Sequence, residues 1–377
     1  MSFIYDLPFH NNPYYAQHLT KKYGNKMYSV YFGMPSLGIP DARIQDEPLD
    51  VDDLICNLLM LPEHTKKYVT MNGRYTPFMN YDKDRLSKVV DVFRKMFEAN
   101  VLDGLLYLDF YYLRMLAEVD PELFSKLEAV SSINCYLDNI EKFNSHLVYI
   151  NDIGMKQPSK LIFDRSLNRR MDGLAQLSKE VKKKHPQMKI ELLVNEGCLY
   201  QCPFKVNHDI AISMVNDVSF LGQQYLSHQM SDNSFDLGAL NEEWGCIRHL
   251  DEKPSRMFQI PFIRPEDLDK YEDLFDIVKI SGKVLPDQTV YNIIDAYERR
   301  EWDGNLLGIL DATGALRDNY YIFNDEIPDN FHKMLTTCDK NCMKCKYCEV
   351  VADKTMQSTE KRVVPSEELQ FCPSSSV

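Results

Sequence analysis

The chain has 377 residues, 44% hydrophobic and 26% charged, with 43 basic against 56 acidic side chains and a formal charge of −13. This is an ordinary globular composition. No run approaches the roughly 18 uninterrupted apolar residues of a membrane span, and the acidic surplus repels phosphate backbones, so neither a membrane-spanning protein nor a general nucleic-acid binder is expected. Ten cysteines are too dilute for a secreted disulfide scaffold, and Met1-Ser2-Phe3-Ile4-Tyr5-Asp6 has neither a basic n-region nor an apolar h-region, which predicts a reduced, cytoplasmic setting.

Short β-rich runs alternate with helix-period segments, the βαβα pattern of a parallel sheet covered on both faces. Eight runs are predicted as strands: Tyr28 to Phe32, Tyr68 to Met71, Leu105 to Asp109, Ala129 to Ser132, Lys160 to Asp164, Ile190 to Val194, Met257 to Ile260 and Ile277 to Ile280. Between them, Asp84 to Asn100 sets Leu86, Val89, Val90, Val92, Phe93, Met96 and Phe97 on one helical stripe, and Arg165 to Lys184 and Pro286 to Arg300 read the same way. The turn after the first run, Gly33-Met34-Pro35-Ser36-Leu37-Gly38, lacks the G-x-G-x-x-G of a doubly wound dinucleotide fold. Eight units therefore predict an α/β fold, a (β/α)8 TIM-type barrel, with a small cysteine-rich C-terminal extension. The expected boundaries are a lead-in over 1–27, the barrel over 28–304, a metal-binding module over 305–365 and a disordered tail over 366–377.

The cysteines fall into groups. Cys56 and Cys135 stand alone and Cys372 lies in the tail. Cys338, Cys342, Cys345 and Cys348 follow a C-x3-C-x2-C-x2-C spacing. Four thiols this close cannot pair as unstrained disulfides, so a metal is the natural reading. The compact run resembles ferredoxin cysteine runs more than the paired CxxC knuckles of structural zinc, with Lys340, Lys344 and Lys346 placed to offset thiolate charge; zinc is the alternative. A radical S-adenosylmethionine reading of C-x3-C-x2-C is set aside because those cysteines belong after an early barrel strand.

The second group lies in the longest connection, from Val194 to Met257, on the side of a barrel where function is built. Gly197 lets the chain turn off the strand, and Cys198 and Cys202 are then directed to the barrel mouth, with Cys246 in the same insertion. Their bland reading is as buried small hydrophobes. As ligands, these three leave one position of a cubane for His208, Cys135, the C-terminal module or substrate. Strand-end polar residues Arg165, Asn195, Glu196, Lys279 and Lys283 are candidates to orient a substrate, each with the plainer alternative of satisfying a loop.

Several ordered landmarks resemble the peptidase U32 family. Asp164-Arg165-Ser166-Leu167 stands where that family has S-R-E-L, Ile190 to Cys198 resembles its E-V-F-V-H-G-A-L-C strand and loop, and Lys279-Ile280-Ser281-Gly282-Lys283 resembles its K-I-E-G-R. Ile263-Arg264-Pro265-Glu266-Asp267-Leu268 is a further likeness, and together they span about residues 28 to 300. Ser166 and Lys283 depart from the family pattern, as does the short Cys198 to Cys202 gap, which marks a divergent branch. The resemblance implies a (β/α)8 barrel and either a collagenase-like peptidase or an iron–sulfur protein supporting oxygen-independent hydroxylation, with Cys198, Cys202 and Cys246 as cluster ligands. The leading expectation is an iron–sulfur-dependent oxidoreductase or hydroxylase with one or two 4Fe-4S clusters, acting on a small molecule or peptide and working with an electron donor or a related U32-type chain. A non-enzymatic binding subunit with structural zinc is the alternative, and a U32-type peptidase a third reading.

Overall fold

The computed structural model describes residues 3–43, 48–216 and 237–358. The expected disordered tail at 366–377, with Cys372, lies outside the described residues, as does part of the long insertion. Among the described residues, eight parallel strands run around a nearly closed barrel in the spatial order β5-β4-β3-β2-β1-β8-β7-β6. They are β1 (Ile4–Pro8), β2 (Met27–Gly33), β3 (Lys66–Met71), β4 (Gly104–Tyr107), β5 (Glu128–Ser131), β6 (Lys160–Ile162), β7 (Lys189–Leu193) and β8 (Ile277–Lys279). The remaining seam, between β5 and β6, is bridged just before β6, where Ala129 donates to the Lys156 carbonyl and Lys156 donates to that of Leu127. The architecture is a TIM-type (β/α)8 barrel.

One expected boundary and one expected strand are corrected. The first strand is Ile4–Pro8, inside the segment expected to be a lead-in, and it pairs with both Met27–Gly33 and Ile277–Lys279. Asp6 interrupts its apolar pattern because that side chain points to partners inside the barrel rather than to solvent. Conversely, Met257 to Ile260 is not a strand. It falls in a 3-10 stretch, Pro254–Gln259, entered through a proline, and the Gln259 carbonyl accepts from the Arg169 side chain instead of from a sheet neighbour.

The helices follow their sequence signals closely. Asp82 caps Lys83–Glu98 by accepting from the Asp84 amide, and that helix buries Leu86, Val89, Val90, Phe93 and Met96. Val92 and Phe97 pack only at its margin. The expected helix over 165–184 divides into a turn, Arg165–Arg169, and a helix, Met171–Lys184. No helix among the described residues is long and apolar enough to cross a membrane.

Beyond the helix Asp287–Arg299, the chain does not leave the barrel. A small antiparallel pair, β9 (Tyr320–Ile322) and β10 (Met356–Ser358), brackets the helices Phe331–Thr337 and Tyr347–Thr355. Phe331 packs on Phe258 and Phe262 and so fixes this extension to the Pro254–Gln259 segment.

The apolar residues form two clusters separated by the barrel wall. One fills the shell between strands and helices, and the other, Tyr31, Tyr68, Leu106, Val130, Ile133, Ile162 and Leu193, fills the lumen. Within the lumen lies a fully buried set of four charges from β1, β6, β7 and β8. Lys160 Nζ is 3.1 Å from Asp6 and 2.7 Å from Glu191, Lys279 Nζ is 3.2 Å from Glu191, and Lys279 also contacts Asp6. Ser29 donates to Asp6 and accepts from Lys160, and Lys279 lies over the Tyr31 ring at 3.7 Å.

Two lysines and two carboxylates sum to zero, which is what makes their burial tolerable; removing one partner leaves an uncompensated charge in a dry interior, at a cost of about 3–5 kcal/mol. Lys160→Met is expected to destabilise the fold by that amount in urea unfolding, and Lys160→Met combined with Glu191→Gln to recover much of the loss. Burial raises both acids, but the two lysines and Ser29 bring Asp6 down to about 2 from its ordinary 3.8, whereas burial and the Asp6 charge leave Glu191 raised. Asp6 thus contributes stability that is present above 3.8 and lost as pH falls towards 2. Glu191 contributes in the opposite sense, losing stability as pH rises from 4.5 through its folded value. A carboxyl-carbon NMR titration is expected to show Glu191 protonating first and Asp6 last.

Candidate functional site

The C-terminal ends of the strands carry a ring of paired charges. Lys283 donates to both Asp41 oxygens, at 2.7 and 2.6 Å, and to Thr70 Oγ1 at 2.9 Å. Arg43 pairs with Asp311, which also accepts from Ser281. Arg165 pairs with Glu196 at 2.5 Å and donates to Asn134 at 2.9 Å. Lys205 pairs with Asp209 at 2.5 Å, while Arg74 Nε faces the other Asp209 oxygen at 3.6 Å, beyond hydrogen-bond reach. Those two facing atoms, like Arg165 Nε and Ser166 Oγ, are buried without a hydrogen-bond partner.

Electrostatics follow from this pairing. Burial opposes ionisation of Glu196, yet the charges of Arg165 and Lys205 and the Cys198 amide hold it below its usual range. Asp311 is likewise lowered against its burial, by Arg43 and Ser281. Burial lowers Lys283 despite Asp41.

The strand-end candidates therefore separate by location. Arg165, Glu196 and Lys283 are members of the mouth ring. Asn195 is fully buried and bonds Ser281 through both ends of its amide, while its carbonyl accepts from Asp311. Lys279 belongs to the lumen set. Asp41, Arg43, Arg74, Lys205, Asp209 and Asp311 complete the ring and were not singled out from the sequence. Only Lys205 and Asp209, four apart on one helix, carried a local signal; the others come from separate loops.

Cys198 follows β7 and lies under Glu196, Lys205, Arg165 and Arg43, and burial together with Glu196 pushes its thiol well up. Its amide donates to Glu196 at 2.8 Å. Cys198 and Cys202 both line a cavity of about 330 Å³ with Arg165, Ser166, Lys205 and Tyr136. Cys246 does not line it; its thiol instead feels Cys202, and burial raises both. Cys246 and His208 both approach Asn241, the thiol at 3.9 Å and Nε2 at 3.1 Å. Cys135 is packed against the core, its thiol 3.5 Å from the Tyr107 carbonyl and raised by burial to about 12.

A second cavity, of about 310 Å³, lies between the extension and the barrel rim. Cys338, Cys342, Cys345 and Cys348 all line it, with Arg169, Lys253, Arg256 and Lys340. Cys342 and Cys345 are exposed. Burial raises the Cys348 thiol to about 11, with Arg169 opposing and the other three cysteines each adding to the rise. Arg169 reaches Cys338 Sγ at 3.6 Å, and Lys340 donates to the Arg169 carbonyl at 3.1 Å. Among the described residues no three His, Cys, Asp or Glu side chains are drawn together into a metal shell. The fit of the quartet is one of donor chemistry: four soft sulfur donors on one cavity wall beside cations that favour thiolates.

No family model matches the sequence. An uncharacterized protease of Methanocaldococcus jannaschii is 27% identical over 342 residues, covering 90% of this chain and 92% of its own length. That near-complete relative joins the ordered landmarks, which the fold places at strand ends: Asp164 and Arg165 after β6, Val194 to Cys198 after β7, and Lys279 to Lys283 at the end of β8. In these landmarks the chain resembles the U32 family. Among solved structures, a U32 peptidase superposes with a TM-score of 0.46 at 13% identity, covering 76% of this chain and 96% of its own. The carboxyl transferase domain of Rhizobium etli pyruvate carboxylase gives 0.35 at 12% identity, with 78% and 53% covered.

The U32 landmark at Gly197 has a packing reason beyond the turn it makes. A Cβ there would fall on the carbonyl of Asp311, from the segment that crosses the mouth after the last barrel helix. Gly197→Ala is expected to cost roughly 3 kcal/mol or more, since backbone rather than a flexible side chain must move. Thermal unfolding should show it, and the alkylation rate of Cys198 should rise as the turn loosens.

Proposed function

We propose that this U32-like protein is an iron–sulfur oxidoreductase in which Cys338, Cys342, Cys345 and Cys348 hold a 4Fe-4S cluster at the barrel rim and the mouth takes an organic substrate. Cys198, Cys202 and Cys246 are its second cluster site on this reading. The observation that carries the proposal is that four thiols, from one eleven-residue run, all line a single cavity walled by a buried arginine. A bound cluster supplies one-electron transfer there, and a Lewis-acid position wherever an iron lacks a protein thiol. The chain's own residues supply the rest. Arg165, held by Glu196 and Asn134, presents a fixed guanidinium to the mouth cavity beside Ser166 and Cys198, where it orients a polar group of a small molecule or peptide. The segment at Asp311, tied to Asn195 and Ser281, closes the mouth from one side and limits water. Oxygen-independent hydroxylation is the reaction type proposed.

A proteolytic reading is favoured by the name of the Methanocaldococcus relative. Against it, the thiol best placed as a nucleophile, Cys198, is shifted away from the thiolate by burial and Glu196. Structural zinc in the quartet is the other alternative, since the same donors suit it.

Anaerobic purification followed by iron and acid-labile sulfide analysis tests the proposal. The expected product is brown, with broad visible absorbance that bleaches on reduction. Cys342→Ala and Cys345→Ala, both at exposed positions, are expected to lose the quartet's share, and Cys198→Ala to separate one cluster from two. A colourless, zinc-loaded protein would overturn the iron–sulfur assignment; hydrolysis of a peptide that survives chelation would favour the peptidase.

A further inference from the structure

Arg169 is the last residue of the turn after β6 and is 2% exposed. Its guanidinium touches three separate parts of the chain. One amine donates to the Gln259 carbonyl, the other faces Cys338 Sγ at 3.6 Å, and the plane lies over the Tyr200 ring with Cζ 4.9 Å from the centroid. Tyr200 sits between Cys198 and Cys202. The Arg169 Nε is buried without a hydrogen-bond partner, and among the described residues no carboxylate forms an ion pair with this side chain.

A desolvated guanidinium without a counter-ion is costly, and chains rarely keep one unless an anion completes it. Every other barrel-mouth arginine named above has its acid. The cavity facing Arg169 is also lined by Lys253, Arg256 and Lys340 against only Asp339 and Glu349, a surplus of positive charge. Four thiolates around a divalent metal, or around a cubane core of charge +2, carry a charge of −2. Both the surplus and the unpaired guanidinium are then compensated by a ligand of that charge, not by any group of the chain.

We propose that Arg169 is the buried counter-cation of a dianionic tetrathiolate centre at Cys338, Cys342, Cys345 and Cys348, and that by stacking on Tyr200 it couples loading of that centre to the loop bearing Cys198 and Cys202. This rests on the quartet being a metal site. Filling the cavity fixes the guanidinium, and the fixed plane holds Tyr200, so the mouth loop is ordered when the rim site is loaded. Arg169 is a positioning residue, since it reaches the mouth thiols only through Tyr200.

The test uses the full chain carrying Cys202→Ala and Cys246→Ala, so that the mouth thiols cannot themselves collect metal, with Zn²⁺ alone as the probe. Affinity is read by competition with a chromogenic chelator, and loop order by hydrogen exchange of the amides of residues 199–202 and 204. Zinc is expected to bind and to slow that exchange at least fivefold. Arg169→Gln should weaken zinc at least tenfold and abolish the slowing, while Arg169→Lys, which keeps the charge, should recover most of the affinity. Tyr200→Leu, which leaves the cavity lining intact, should bind zinc as the parent does yet show no slowing. Unchanged affinity in Arg169→Gln, or zinc binding by the parent without any change in the loop, would overturn the inference and leave the metal site standing. A parent chain that binds no zinc and no reconstituted iron and sulfide would overturn both.

Discussion

The barrel depends on a charge balance at its centre. Asp6, Lys160, Glu191 and Lys279 come from four strands, including the first and the last, and meet where no water reaches them. Each lysine bridges two acids, so the set is satisfied only when β1, β6, β7 and β8 are all in register. Hydrophobic packing in the lumen does not discriminate so sharply, because one aliphatic side chain can replace another within about 1.5 kcal/mol. A misplaced ion pair costs several times that. The set therefore acts as a register lock, and it also accounts for the interior tolerating a strand whose middle residue is Asp6.

Above this lock, the mouth repeats the same logic with looser water exclusion. Four cation–acid pairs stand at the strand ends, and they are contributed by the segments after β2, β6, β7 and β8 together with Asp311 from beyond the barrel. That last contribution changes the meaning of the C-terminal extension. It is joined to the mouth by Asp311 on Arg43, Ser281 and the backbone of Asn195, and to the rim by Phe331 and Arg169. The Cys198–Cys202 loop and the C-terminal cysteine run, more than a hundred residues apart in sequence, are thereby joined through one arginine and one tyrosine.

How much of this was legible in the sequence depended on the range of the interaction involved. The barrel class, the seven strands β2 to β8 and the amphipathic helix Lys83–Glu98 followed from local periodicity, which burial on one or both faces imposes directly. The strand β1 was missed because its pattern contains Asp6, whose charged partners, Lys160 and Lys279, lie more than 150 residues away. Met257 to Ile260 looked like a strand because it is apolar and buried, but burial there comes from the extension packing onto it. Lys279 was read as a mouth residue from its place at a strand end; strand alternation instead turns it into the lumen. Arg43, Asp41 and Asp311 carried no sequence signal, since an ion pair across the barrel leaves none in either neighbourhood.

The sequence by itself determined the βα alternation, the compact spacing of the four C-terminal cysteines and the U32 landmarks at the strand ends, because each is a pattern over a few consecutive residues. The tertiary structure alone decided which charges neutralise one another, that Gly197 is demanded by the backbone of Asp311, and that Arg169 stands between the two sets of thiols. Those facts belong to pairs of residues far apart in the chain, and only chain closure brings them within the few ångströms over which charge, packing and hydrogen bonding act.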